Sequence, residues 1–218
     1  MEALVIGALV AFVVSMSGLA VFASRTSLEQ RFRRTDRTPI ARLTENRHHK
    51  IVGRVRPFGT TLTAPLSGRA CVLYEVVVES KTEARAFYQP TREKAAVPFW
   101  VEEDDVRVFI DPTFVGTWLV YALSGETGLL RRASKSLERF MRSHKRSLES
   151  EWGKRSFIYR EGTIAEGDRV AIIGIPRHEA DPDVGRELVG YRTTPTRTRM
   201  LSTKSRPVLV SNAPSAMD

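Results

Sequence analysis

The chain has 218 residues, 42% of them hydrophobic and 27% charged, a composition that fits one folded domain with a short appendage. A single cysteine, Cys71, excludes an internal disulfide framework and a zinc site built from several cysteines. The formal net charge of +9 indicates anionic rather than cationic binding partners.

Residues 3–23 form an apolar run without a charged side chain, in which only Ser15 and Ser17 are polar. At a rise of about 1.5 Å per residue a helix of this length spans roughly 30 Å, the thickness of a bilayer's hydrocarbon core. The alternative is a cleaved signal peptide, with "VFA" before Ser24 as its cleavage site. We favour a transmembrane anchor over residues 1–24, because the run follows Met-Glu and exceeds the usual signal core of about 7–15 residues.

The residues after this segment predict its orientation. Residues 25–37 read as a basic juxtamembrane linker with a helical tendency around "SLEQRFRR". Basic side chains hold the adjoining end of a span on the cytoplasmic side. The basic side chains of the linker are Arg25, Arg31, Arg33, Arg34 and Arg37. We therefore expect a single-pass membrane protein with its N-terminus outside and its C-terminal domain cytoplasmic.

Residues 38–212 have the pattern of a β-rich domain, followed by a flexible tail over 213–218. Short alternating runs are separated by Gly, Pro and Asp, which is typical of strands. The predicted strands are "KIVGRVRPF" (50–58), "CVLYEVVVES" (71–80), a hairpin of "AVPFWVEED" and "VRVFIDP", a pair of "SFIYRE" and "DRVAIIGIPR", and two strands in "TRTRMLSTKSRPVLVSN". The predicted fold class is mainly β (α+β): a small barrel or sandwich-like domain with a helical insertion, preceded by one transmembrane helix.

The helical insertion is predicted over residues 129–152, where apolar residues recur at helical spacing. Just before it, "FVGTWLVYAL" (114–123) is predicted as a buried turn leading into the helix. The other faces of the predicted helix carry the candidate contacts to an anionic membrane or partner: Arg131, Arg132, Lys135, Arg139, Arg142, Lys145 and Arg146. Such a helix can lie on a membrane surface or bind an acidic partner. We favour a helix that packs its apolar stripe onto the barrel and leaves its basic face in solvent.

Sequence motifs for catalysis are absent: the chain has no G-x-S-x-G, P-loop, G-x-G-x-x-G or H-E-x-x-H. Its histidines, His48, His49, His144 and His178, lack the spacing of a ligand pair. Four carboxylates at 102–105 are interpreted as solvated turn residues rather than a cation site. The segment "DPDVG" (181–185) is similar to part of a calcium loop but lacks the third acidic ligand and the terminal Glu, so we do not interpret it as a cation site. We predict no catalytic residue, no metal site and no cofactor.

Cys71 heads a predicted strand and is interpreted as structural. On strand alternation it shares a face with Leu73 and Glu75, and no histidine lies near it in sequence. A nucleophilic cysteine needs a base or a basic setting that lowers its pKa. Free cysteine otherwise behaves as a small apolar residue.

Three segments in order resemble the GIDE domain, also described as a "beside-a-membrane" domain. They are "TPIARLTENRHHKIVGRVRPFGTTLTAPLSGRACVLYEVVVE", "VPFWVEEDDVRVFIDP" and "FIYREGTIAEGDRVAIIGI", and the resemblance covers residues 38–212. The family is best known from a mitochondrial outer-membrane E3 ubiquitin ligase and has many bacterial members. The resemblance implies a compact β-rich domain held against a membrane.

The chain departs from the ligase pattern after the domain. The ligase continues into a second transmembrane helix and a RING finger, which needs about eight zinc ligands, mostly cysteine. With one cysteine and four histidines this sequence cannot supply them, so it resembles the RING-less bacterial members.

We therefore expect a membrane-anchored, non-enzymatic module that binds an anionic lipid or a protein partner at the cytoplasmic face. The oligomeric state is not specified by the sequence. Two alternatives are a ligase-related protein, supported by the family resemblance alone, and a basic OB-like barrel that binds nucleic acid. The second would stack bases on aromatics such as Tyr74, Phe87 and Tyr88, but strand aromatics are more often core, so nucleic acid is the less favoured partner.

Overall fold

The computed structural model describes residues 26–81, 90–128, 132–150, 153–154, 156–181 and 196–218. The predicted transmembrane segment at residues 3–23 lies outside them. Among the described residues no helix is both long and apolar enough to cross a membrane. The described chain is mainly β, as predicted.

The described residues include two helices, α1 (residues 26–34) before the first strand and α2 (Lys135–Ser143) between strands. Short 3₁₀ turns at Ile40–Arg42 and Pro214–Ala216 precede the first strand and follow the last one. In chain order the described strands are β1 (His49–Pro57), β2 (Leu62–Thr63), β3 (Ala70–Cys71), β4 (Leu73–Ser80), β5 (Thr91–Ala96), β6 (Phe99–Glu103), β7 (Val106–Ile110), β8 (Val115–Trp118), β9 (Leu123–Glu126), β10 (Glu149–Ser150), β11 (Gly153–Lys154), β12 (Phe157–Ile164), β13 (Arg169–Ala180), β14 (Thr196–Leu201) and β15 (Val208–Ser211).

Five strands form a closed ring in the order β1-β6-β7-β14-β13, and β13 pairs back to β1. All neighbours are antiparallel except β7 and β14, which are parallel. Alternate residues of these strands point inward, among them Ile51, Val101, Ile110 and Ile172, and fill the barrel with apolar side chains. Gly53 lets β1 approach β6 closely, because a Cβ there would lie 2.4 Å from the carbonyl oxygen of Glu102.

A separate four-stranded sheet, in the order β5-β4-β12-β9, is built from two insertions into the barrel. Strands β4 and β5 come from the connection between β1 and β6, whereas β9 and β12 come from the connection between β7 and β13. The sheet meets the barrel core through Val72, Leu73 and Ile164. Helix α2 covers its other face.

Three predictions about pairing and helix extent were wrong. The runs "SFIYRE" and "DRVAIIGIPR" are strands but do not pair: β12 belongs to the four-stranded sheet and β13 to the barrel. The segment 114–123 contains strand β8, which extends the barrel sheet beside β15, rather than a helix entry. Helix α2 is shorter than the predicted 129–152, and β10 and β11 form a small hairpin within that range.

Helix α2 ends where it does because the backbone turns left-handed at Lys145, with φ of 54°. The N–H of Arg146 then donates to the carbonyl oxygen of Met141 at 2.9 Å, as in a Schellman motif. This bond satisfies a carbonyl group that the helix leaves open at its C-terminal end.

Segments 25–37 and 213–218 differ from the linker and flexible tail predicted for them. Helix α1 buries Phe32 completely against the outer wall of the barrel. Ala213, Ala216 and Met217 pack beside it in the same apolar cluster. Both segments contribute to the folded domain because their apolar residues cover Val52, Ile173 and Leu209, which point outward from the barrel.

Candidate functional site

Helix α2 is held on the four-stranded sheet by its apolar stripe. Ser134 caps its N-terminus by accepting a hydrogen bond from the N–H of Leu137 at 3.2 Å. The side chains of Leu137, Phe140 and Met141 are buried in a cluster with Tyr74, Val76, Val78 and Phe157. The apolar stripe is buried as predicted, but the predicted packing onto the barrel was wrong, because the stripe packs on the separate four-stranded sheet.

The basic face of α2 and its flanks is open to solvent. Of the predicted contact residues, Arg131 lies outside the described residues. The six others are all exposed: Arg132, Lys135, Arg139, Arg142, Lys145 and Arg146. Since the stripe is buried in the protein, this surface can attract an anionic partner by charge but has no apolar side to insert into lipid.

Most cations on the α2 surface lack carboxylate partners, whereas many other arginines in the described domain form ion pairs. Arg37 pairs with Glu103, Arg56 with Glu102, and Arg160 with Glu79. In the part of the chain that the structure describes, five α2-face cations form no ion pair: Arg132, Lys135, Arg139, Arg142 and Lys145. Residues 132–146 hold six basic side chains and one acidic one, Glu138. The result is a concentrated, uncompensated positive surface.

A chain of polar contacts fastens the C-terminal end of α2 to the sheet. His144 places Nε2 3.2 Å from a carboxylate oxygen of Glu93 on β5, and its Nδ1 lies 2.9 Å from the carbonyl oxygen of Phe140. Glu93 in turn accepts a hydrogen bond from the hydroxyl of Tyr74. Burial and this bond raise the pKa of Tyr74 well above its usual value. These contacts are structural, and Tyr74 lies beneath the helix, where it cannot stack on a nucleic-acid base.

Cys71 lies in the core beneath the same helix and is 1% exposed. It packs with Tyr74 and Val76 rather than on the predicted face with Leu73 and Glu75, because β3 ends at Cys71 and a bend at Val72 precedes β4. Burial raises the pKa of its thiol to about 11, and the nearby Glu161 adds to this shift. The thiol is thus buried and neutral near pH 7, as expected of a structural cysteine.

Glu161 is a buried carboxylate that the sequence analysis did not single out. It is 1% exposed and accepts hydrogen bonds from the backbone N–H groups of Leu66 at 2.7 Å and Ser67 at 3.0 Å. It therefore holds the turn between β2 and β3 against β12. The sequence does not indicate its burial, because a charged residue in "YREGT" is expected on the solvent-facing side of a strand.

The other candidate groups are also held in local contacts. Glu102 and Glu103 pair with different arginines, and Glu103 also accepts from the N–H of Ile40 at 2.6 Å, so these carboxylates of the 102–105 turn do not converge. The ring of His49 contacts Thr38 and Thr44. No group of three or more His, Cys, Asp or Glu among the described residues is placed to hold a metal ion. Residues 182–185 of "DPDVG" lie outside the described residues.

An aromatic cluster on the outer face of β6 and β7 is a second feature that sequence reasoning missed. Trp100 and Phe109 stack edge to face with centroids 5.2 Å apart, and both are 6% exposed. The guanidinium of Arg107 lies 4.2 Å from the ring centre of Trp100, and that of Arg197 lies 4.2 Å from the ring centre of Phe109. Because the arginines cover the rings, the cluster offers no open aromatic surface for a base.

An open cavity of about 570 Å³ lies between β5 and the start of β8. Its polar groups are already bonded: Lys94 donates to the carbonyl oxygen of Val115, and Asp111 accepts from the N–H and the hydroxyl of Thr113. Burial raises the pKa of Asp111, but the bonds from Thr113 and the charge of Arg199 outweigh it, so the pKa is below its usual value. The cavity therefore offers a ligand few free polar groups.

Comparison with protein-family models, curated proteins and solved structures finds no match to this chain. The surface that remains as a candidate binding site is the basic face of α2.

Proposed function

We propose that this protein is a membrane-anchored, non-catalytic binding module of the GIDE type, whose β-rich domain is held directly against the cytoplasmic face of a membrane. The observation that carries the proposal is the docking of α1. The described part of this helix starts at residue 26, three positions after the end of the uncharged segment 3–23, and the helix packs on the domain.

The contacts of α1 make a firm attachment. Leu28 and Phe32 pack against the outer barrel wall, and the ring of Trp118 lies 6.0 Å from that of Phe32. The buried amine of Lys50 on β1 donates to the carbonyl oxygen of Phe32 at 3.0 Å. A domain attached through such a helix cannot drift away from the membrane on a flexible tether.

The distance from the anchor to the domain is short. Only Ser24 and Arg25 separate Ala23 from Thr26, and even a fully extended chain covers only about 11 Å over these three residue steps. The barrel wall beside α1 therefore lies at the level of the lipid headgroups.

The surface around α1 has the charge that this position requires. Burial and the nearby charges of Arg31 and Arg206 lower the pKa of His48, which places these three side chains in one basic patch. Arg31 and Arg34 on α1, together with Arg206, are exposed and form no ion pair within the described ranges. Basic residues next to a span are attracted to anionic cytoplasmic lipids, with about 1 kcal/mol for each residue near the surface.

Membrane fractionation of the full chain tests the anchor. We expect the protein to remain in the membrane pellet after alkaline carbonate extraction. The double variant Leu9→Arg/Val13→Arg should move to the soluble fraction, because a charge at the centre of a span opposes insertion by about 2.5–3.5 kcal/mol. Leu9→Ala/Val13→Ala is the matched control and should stay in the pellet. Wild-type protein released by carbonate would overturn the anchor.

Cysteine labelling tests the orientation. A Cys71→Ala/Ser205→Cys variant carries one thiol at an exposed position near α1. A membrane-impermeant maleimide should label it only after the membrane is opened. Labelling of intact cells would place the domain outside and contradict the proposal.

A further inference from the structure

We propose that the exposed face of α2 binds an acidic segment of a protein partner, not the lipid of the membrane that holds the domain. This inference rests on the proposed function, since it assumes that α1 marks the membrane side. The cations that would make the contact are Arg132, Lys135, Arg139, Arg142 and Lys145.

The arrangement of these cations suits a carboxylate-rich peptide. Lys135, Arg139 and Arg142 follow one another at spacings of four and three residues, so they form one row about 10 Å long on the helix surface. Arginine presents a planar fork that binds a carboxylate through two parallel hydrogen bonds. In the described structure no neighbouring carboxylate occupies these cations, so they remain free for a partner.

The place of α2 in the fold argues against lipid as the occupant. Helix α1 packs on the outer wall of the barrel, whereas α2 packs on the face of the four-stranded sheet that points away from the barrel core. The two helices belong to apolar clusters that share no residue. The basic face of α2 is therefore a different surface of the domain from the one that α1 marks as the membrane side.

The packing of α2 also disfavours lipid. A helix that lies on a membrane buries its apolar side among the acyl chains. In α2 that side, formed by Leu137, Phe140 and Met141, is already buried against the sheet. The remaining interaction is purely electrostatic and suits a partner that brings its carboxylates to the helix.

Fluorescence anisotropy with a labelled twelve-residue polyglutamate peptide tests the inference. The full chain is reconstituted in nanodiscs of neutral phosphatidylcholine at near-physiological salt. We expect the peptide to bind and Arg139→Glu/Arg142→Glu to weaken binding at least tenfold. Arg31→Glu/Arg34→Glu makes the same change of charge at α1 and should leave binding within about twofold. Equal weakening by both variants, or by neither, would overturn the α2 assignment.

Two further arms separate the other occupants. In nanodiscs that contain phosphatidylserine, peptide binding should persist; its loss would show that lipid covers α2 and would overturn the proposal. A twelve-nucleotide oligothymidine that binds more tightly than the peptide, and loses binding in the α2 variant, would reassign the surface to nucleic acid. Circular dichroism and urea unfolding establish that each variant is folded.

The same experiment distinguishes failure of the two proposals. A chain that does not insert into nanodiscs refutes the anchor, and peptide binding to α2 is then measured on the free chain. A chain that inserts but binds no peptide keeps the anchor and refutes the role of α2.

Discussion

The Nζ of Lys50 lies 3.0 Å from the carbonyl oxygen of Phe32 and also donates to the backbone carbonyl oxygen of Asp218. One side chain on β1, 1% exposed, thus ties α1 and the C-terminal residues to the barrel. A buried amine is retained only where hydrogen bonds compensate its lost hydration, and these two carbonyl groups provide them. The contact joins the part of the domain nearest the predicted anchor to the rest of the fold.

Lys50→Met should loosen α1. The substitution keeps an unbranched apolar stem but leaves the two carbonyl oxygens without this donor, so we expect a loss of about 1–3 kcal/mol in the free energy of unfolding. Urea unfolding measures the loss, and hydrogen exchange should become faster in residues 26–34. Lys204→Met, at an exposed position, is the control. Unchanged exchange in α1 would show that Lys50 does not hold it.

The same lysine gives a pH dependence. Burial lowers the pKa of Lys50 below 10.5, so the unfolded chain binds this proton more tightly than the folded one. The free energy of unfolding therefore gains a term that rises with pH between the lowered pKa and 10.5. Urea midpoints measured from pH 8 to 11 should show a smaller rise, or a steeper fall, in Lys50→Met. Parallel curves for the two proteins would contradict the assignment.

Cys71 should be unreactive in the folded protein. Its thiol is buried, and its pKa of about 11 leaves little thiolate at pH 8. We expect an aromatic disulfide reagent to modify it at least a hundred times more slowly in buffer than in urea. Because the pKa is raised on folding, the contribution of this group to stability is full below pH 9 and is lost as the pH rises towards 11. Rapid modification of the native protein would place the thiol at the surface.

Glu161→Leu should destabilise the turn between β2 and β3. The change leaves the buried N–H group of Leu66 without its acceptor, which costs about 1–3 kcal/mol, and also removes the acceptor of the N–H group of Ser67, an exposed residue. Chemical denaturation measures the change in unfolding free energy. Glu166→Leu removes an exposed carboxylate and should change stability by less than about 0.5 kcal/mol. A similar small effect at Glu161 would contradict its structural role.

Leu137→Ala tests the attachment of α2. A buried leucine cut to alanine leaves a cavity and costs about 2–5 kcal/mol. Lys135→Ala, two residues away on the exposed face, should cost little. If both substitutions had the same small effect on thermal unfolding, the stripe of α2 would not be part of the core.

The sequence carries the local features of this fold. Alternation in "KIVGRVRPF" and "VRVFIDP" marks strands, and the spacing of Leu137, Phe140 and Met141 marks the apolar stripe of α2. These signals lie within single elements, where side-chain period and burial coincide. The basic face of α2 follows from the same period, and its six described cations are exposed as predicted. Arg131 was also predicted there but lies outside the described residues.

The sequence does not indicate which strands pair when they are distant from each other in the chain. Ile51 on β1 pairs with Ile172 on β13, and nothing in either strand specifies the other. Adjacent strands were expected to pair, but Asp168 and Gly167 turn the chain from the four-stranded sheet into the barrel instead. The face of Cys71 was misassigned because one bend at Val72 reverses the alternation. The burial of Glu161 and the arginine–aromatic cluster also depend on contacts between residues distant in sequence, so the sequence alone did not predict them.

The docking of α1 has a consequence for the order of events during synthesis. Helix α1 follows the predicted anchor and leaves the ribosome early, whereas β13, β15 and residues 213–217, which cover it, are translated last. Domains fold as their segments emerge, and contacts of high sequence separation form slowly. Until the chain is nearly complete, Leu28 and Phe32 therefore lack most of the side chains that cover them in the folded domain. If the proposed anchor holds α1 at a membrane, lipid is the nearest apolar medium, and we expect the nascent helix to rest on lipid first and to exchange it for the barrel wall when the last strand forms.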